Sequence, residues 1–167
     1  MSRTTKSDTR QSTSRLMAVE IDGSISLSPS PDAVHERNAA IYDLLEDNSF
    51  SLKNGVSGPY RLILSSQAAR LALDVRDQHN NPIIIFGLSL TPFRTVVRDY
   101  FHICESYYDA VRNANTQQIE TIDMARRGIH NEGGEILRDR LSGKADMDLF
   151  TARRLFTLVY SLLWQGN

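Results

Sequence analysis

The stretch YRLILSSQAARLALDVRDQHNNPIIIFGLSL, residues 60–90, decides the fold. It divides into three strand-like runs, YRLILS, RLALDV and PIIIFGLSL, all rich in Leu, Val and Ile. In the middle run Leu71, Leu73 and Val75 alternate with smaller or charged residues, the two-residue period of a strand with one buried face. Asn80 and Asn81 supply the turn between the last two runs. Connections this short join antiparallel neighbours. The runs therefore predict an antiparallel sheet with one face for helices and the other for water or a partner.

Working outward, LMAVEID (residues 16–22) sets Met17, Val19 and Ile21 on one side and reads as a further strand. Ser30, Pro31 and Asp32 open a helix as N-cap, first-turn proline and dipole-compatible acid, with Val34, Ile41 and Leu45 as its expected buried stripe. KNGVSGP (residues 53–59) is a loop. Thr91 and Pro92 open a second helix. Its inner face is Phe93, Val97, Tyr100, Cys104, Tyr107 and Val111, and its outer face is the mixed-charge column Arg98, His102, Glu105, Asp109 and Arg112. A third helix spans about residues 116–141 and stops before Gly143. ADMDLF (residues 145–150) alternates like a short strand, and TARRLFTLVYSLLW (residues 151–164), with Thr151 as N-cap, closes the chain. Beyond Leu155 that last helix is apolar nearly all round, so it must be covered either within the domain or by a second copy, the latter making it a homodimer surface.

The whole predicts one α+β domain over residues 16–167, an antiparallel sheet of about four strands with helices on one face, in the order β-α-β-β-β-α-α-β-α. Residues 1–15 hold no large apolar side chain after Met1 and are expected to be a disordered arm. The arm carries +3 from Arg3, Lys6, Arg10 and Arg15 against Asp8, leaving −4 on the rest of a chain whose formal charge is −1. That balance disfavours nucleic acid as a partner, and only the arm with Arg153 and Arg154 offers a weak nucleic-acid surface. One cysteine, Cys104, cannot form an internal disulfide, no apolar run is long enough to span a bilayer, and the first residues lack a signal-peptide core. The expected home is the cytoplasm, without membrane contact.

One segment of the third helix concentrates the chemistry: ARRGIHNEGGEIL, residues 125–137. At about 100° per residue, Ile119, Ile122, Ala125, Ile129, Gly133 and Ile136 form one stripe, so Gly133 falls on the buried face, where a missing side chain admits another backbone. Gly128 and Gly134 fall on polar faces, and each costs up to about 1 kcal/mol against alanine, so either the helix breaks or something approaches. Asp123, Arg127 and His130 share one side as a candidate anion-holding or acid–base cluster, with Asn131 and Glu132 beside them. The plainer reading is a helix ion pair and a histidine bonded to a neighbour. His130 and Glu132 point about 160° apart on a helix and cannot chelate one ion, so neither a metal nor a cofactor is expected. Arg153 and Arg154 sit in a first turn, where the dipole disfavours cations, and call for a partner: Asp146, Asp148 or an outside anion.

HERNAAIYDLLEDNSF, GPYRLILS, LSLTPFRTVVRDYFHICESYYDAVRNA, IDMARRGIHNEGGEILRDRL and TARRLFTL together resemble the Uncharacterised Protein Family 0262 of bacteria, chiefly alphaproteobacteria, over about residues 19–164. The resemblance implies a bacterial cytoplasmic protein and transfers no catalytic residue. With no nucleophile or metal motif, the preferred expectation is a non-enzymatic binding or regulatory module for a protein or small anionic partner. The alternative is a hydrolase-like enzyme working through Asp123, Arg127, His130, Asn131 and Glu132.

Overall fold

The computed structural model describes residues 13–27, 30–68, 70–113 and 115–163. Its elements are β1 (Leu16–Ile21), α1 (Pro31–Glu46), β2 (Phe50–Leu52), β3 (Tyr60–Gln67), β4 (Arg70–Arg76), β5 (Pro82–Ser89), a 3-10 turn at Thr91–Phe93, α2 (Arg94–Arg112), α3 (Thr116–Leu141), β6 (Ala145–Met147) and α4 (Leu149–Leu163). The first 12 residues of the expected arm, and Trp164, lie outside the described residues. Ser14 and Arg15, also assigned to the arm, accept backbone hydrogen bonds from Phe50 and Tyr60.

The three quoted runs pair as neighbouring antiparallel strands. Leu62 stands opposite Val75 and Leu64 opposite Leu73, while Val75, Leu73 and Leu71 meet Ile84, Phe86 and Leu88 across β5. One face is therefore apolar and buried, as the period of two requires. The other face carries the row Ile63, Asp74 and Ile85 and stays open, with Ile85 58% exposed. The helices gather on the apolar face.

The sheet is mixed and not wholly antiparallel as the short turns suggested. Its order is β1-β3-β4-β5, and β1 runs parallel to β3. The reason is the length of the link: β1 and β3 are separated by α1 and β2, and a crossover that includes a helix can bring the chain back in the same direction. The short strand β6 lies outside this sheet. It pairs with β2, a three-residue strand too brief for its period to be read, in a separate antiparallel ladder joining Phe50 to Met147.

Two helix faces differ from their expected stripes. On α1 the buried residues are Arg37, Ala40 and Leu44; of the expected stripe Ile41 packs partly buried against the core, Val34 is half-buried and Leu45 is exposed. The Glu36, Ala39, Ala40 and Asp43 side lines a cleft described below. Phe93 of the 3-10 turn and Val97, Tyr100 and Cys104 on α2 are buried as predicted, while Val111 is exposed and Ala110 is buried in its place. The terminal helix α4 is covered within the chain. Thr151, Ala152 and every residue from Leu155 to Leu162 are buried, packed against α1, α3 and Tyr100 of α2 in the common core, so its apolar circumference is covered within the chain. Its cap is Asp148 and not Thr151: Asp148 Oδ1 accepts from the Thr151 amide at 2.8 Å, and Thr151 instead receives the Ser49 amide. Among the described residues no helix is long and apolar enough to cross a membrane.

Candidate functional site

The helix α3 runs unbroken through ARRGIHNEGGEIL, and the two adjacent glycines have the same cause. A Cβ on Gly133 would stand 2.5 Å from the Phe156 ring, and one on Gly134 would stand 2.7 Å from Arg153 Cγ and 3.1 Å from the Arg153 backbone. Both glycines are buried. The approaching object is α4, packed so closely that neither position admits a side chain. Gly134 thus lies on a packed face, contrary to its assignment to a polar one. Gly128 faces open space, and nothing in the structure explains it.

This close packing decides the fate of His130. Its ring stacks on Tyr100 at 5.5 Å and lies 6.1 Å from Phe156, while Nε2 stands 3.0 Å from the Arg153 carbonyl and 2.8 Å from Thr157 Oγ1. A carbonyl only accepts, so Nε2 carries the proton and the neutral ring presents Nδ1 as its acceptor. Burial pushes the imidazole down to about 4, aided by the charges of Arg153, Arg126 and Arg154, and it is neutral at pH 7.

The Asp123, Arg127 and His130 cluster does not assemble. Asp123 meets Arg126 and Arg127, each at 3.0 Å, and His130 turns away from it to α4. Glu132 is exposed and lies outside the cleft. What comes together is a different set. Arg126, Arg127, His130 and Asn131 from α3 meet Phe150, Arg153, Arg154 and Thr157 from α4, with Glu36 and Asp43 from α1 on the facing wall and Tyr100 from α2, around a cleft of about 460 Å³.

In this cleft Arg153 Nη1 donates to Asn131 Oδ1 at 2.7 Å, so the candidate anion contact and a candidate site residue 22 positions apart in the chain touch directly. Arg154 lies 3.2 Å over the Phe150 ring and 4.0 Å from Asp43, and burial lowers its pKa. Neither arginine pairs with Asp146, which meets Lys53, or with Asp148, which caps α4. Arg126 lies 4.2 Å over the Tyr107 ring. Four guanidinium groups against two carboxylates make the lining basic. Burial pushes the nearby Cys104 thiol up to about 12, which keeps it protonated at pH 7.

Sequence reasoning missed Glu36, Asp43, Arg126, Phe150 and Thr157. The available signal was the recurrence of i, i+3, i+4 and i+7 in both Glu36, Ala39, Ala40, Asp43 and Phe150, Arg153, Arg154, Thr157. Nothing in either pattern says that the two faces meet.

The model of the Uncharacterised protein family (UPF0262) matches residues 13–165. A UPF0262 protein of Cereibacter sphaeroides (strain ATCC 17025 / ATH 2.4.3) is 52% identical over 155 residues, covering 90% of this chain and 98% of the relative. One of Hyphomonas neptunium (strain ATCC 15444) is 53% identical over 148 residues, covering 89% and 91% respectively. One of Xanthobacter autotrophicus (strain ATCC BAA-1158 / Py2) is 51% identical over 162 residues, covering 96% and 98%. No solved structure matches the chain.

Proposed function

This bacterial chain belongs to the Uncharacterised protein family (UPF0262), and we propose that it is a non-enzymatic binding module that holds the anionic group of a small molecule between α3 and α4. The observation that carries this reading is the state of Arg153. It lines a cleft of about 460 Å³, hydrogen-bonds the neutral Asn131, and has no carboxylate within 4.0 Å among the described residues. A guanidinium so placed keeps donors for a planar oxyanion. A cavity of this size favours a small ligand over a protein partner.

The hydrolase-like alternative has less support. His130, its natural base, spends Nε2 on the Arg153 carbonyl and has lost Asp123 as an orienting partner, which is what a histidine holding two helices together does. Of the nucleic-acid reading, residues 1–12 of the arm lie outside the described residues, while Arg153 and Arg154 line the cleft. A buried free thiol at Cys104 supports a cytoplasmic setting, where such thiols stay reduced.

Calorimetric titration with ethyl phosphate and with hexanoate tests the reading. At least one should bind saturably at low ionic strength, weaken as salt is added, and lose its binding in Arg153→Gln. Absence of binding by both probes to the wild-type chain, or binding indifferent to Arg153, would overturn it.

A further inference from the structure

The cleft carries charge on facing walls, and not all of it is neutralised internally. Arg126 and Arg127 share Asp123 at 3.0 Å, and Arg154 faces Asp43 at 4.0 Å. Arg153 is left with neutral Asn131 and the face of Phe150. On the acidic wall Asp43 has Arg154, whereas Glu36 accepts only the Tyr108 hydroxyl, at 3.0 Å, and has no cation within 4.0 Å among the described residues. One cation and one carboxylate thus face the same partly enclosed space without charged partners. Ala39 and Ala40 lie between the two acids on α1 and keep that wall shallow. A half-buried charge beside alanine and tyrosine surface loses hydration, and an opposite charge supplied by a ligand restores it.

Resting on the anion-site reading above, we propose that the ligand is a zwitterion, with its oxyanion on Arg153 and Asn131 and an ammonium group on Glu36. Glu36 lies seven residues from Asp43 along α1, about 10 Å at the helical rise, and Arg154, next to Arg153, stands at the Asp43 end. The two charges of the ligand are therefore separated by several bonds, with the uncharged body lying over Ala39 and Ala40. Carboxylate and phosphate both satisfy the Arg153 end.

Matched pairs of probes of one chain length decide the matter on the full chain: 6-aminohexanoate against hexanoate, and 6-aminohexyl phosphate against hexyl phosphate. The amino member of at least one pair should bind about tenfold tighter than its match. Glu36→Gln should erase that advantage while still binding the plain anion, and Arg153→Gln should lose both members. The pair that responds identifies the oxyanion. Equal binding within both pairs, with dependence on Arg153 intact, overturns the zwitterion and leaves the anion site standing. An advantage that survives Glu36→Gln also overturns it. No binding by any of the four overturns both readings. The wild-type comparison decides even where a variant fails to fold, which its melting curve without probe reveals.

Discussion

His102 and His130 read alike in the sequence, each in mid-helix among arginines and acids, yet they live in opposite environments. His102 on α2 is 63% exposed and stands 4.0 Å from Glu105. His130 on α3 is stacked on Tyr100, bonded to the backbone of α4 and held neutral. Helical spacing names the neighbours three and four residues away and nothing more. What separates the two residues is whether a second helix lies across that face, and the lid over His130 is built by Gly133 and Gly134, which let α4 come close.

The sharpest way to break this contrast is to remove the packing. Phe156 is fully buried and touches both His130 and the Gly133 position. Phe156→Ala should cost about 3–5 kcal/mol in urea unfolding, against roughly 0.5 kcal/mol or less for His102→Ala on the open face. Similar costs at the two sites would sink the comparison.

Acid should expose the same difference. His130 takes up its proton at about 4 in the folded chain and near 6.5 when unfolded. The unfolded state therefore binds the proton first as pH falls, so the linked stability is complete above 6.5 and drains away between 6.5 and 4, by up to about 3 kcal/mol. His130→Gln should flatten the stability-versus-pH slope within that window, and His102→Gln serves as the control. An unchanged slope in His130→Gln would place the acid sensitivity elsewhere.

The glycines extend the comparison along α3. Gly133→Ala drives a methyl to 2.5 Å from the Phe156 ring and should cost about 1–3 kcal/mol. Gly128→Ala, in open space on the same helix, should instead raise stability by up to about 1 kcal/mol. Thermal melts of the pair in parallel read the sign directly, and matching signs would mean that the two helices are not in close contact at Gly133.

Much of this architecture was legible beforehand. The alternation of Leu71, Leu73 and Val75, the Pro31 and Pro92 helix starts and the position of Gly133 on a packed face are local facts, because the period of apolar residues follows directly from backbone geometry. The polar character of Arg127, His130, Asn131, Arg153 and Arg154 was legible too, but not their meeting place. Glu36 and Asp43 lie 80 and 73 residues before the start of α3 at Thr116, and no periodicity connects them.

By itself, then, the sequence determined the segments of every strand and helix except the three-residue β2, the apolar faces of β4 and most of α2, and that the charge sits in short clusters. Only the tertiary structure decided that β1 runs parallel to β3, that β6 leaves the main sheet for β2, that α4 is covered by its own domain, and that two arginine pairs share one cleft. The reason is physical. Local pattern follows from bond geometry and the burial of apolar area, which each segment expresses alone, whereas the choice of which apolar face covers which is made among many interchangeable leucine and isoleucine surfaces by close packing of the whole chain.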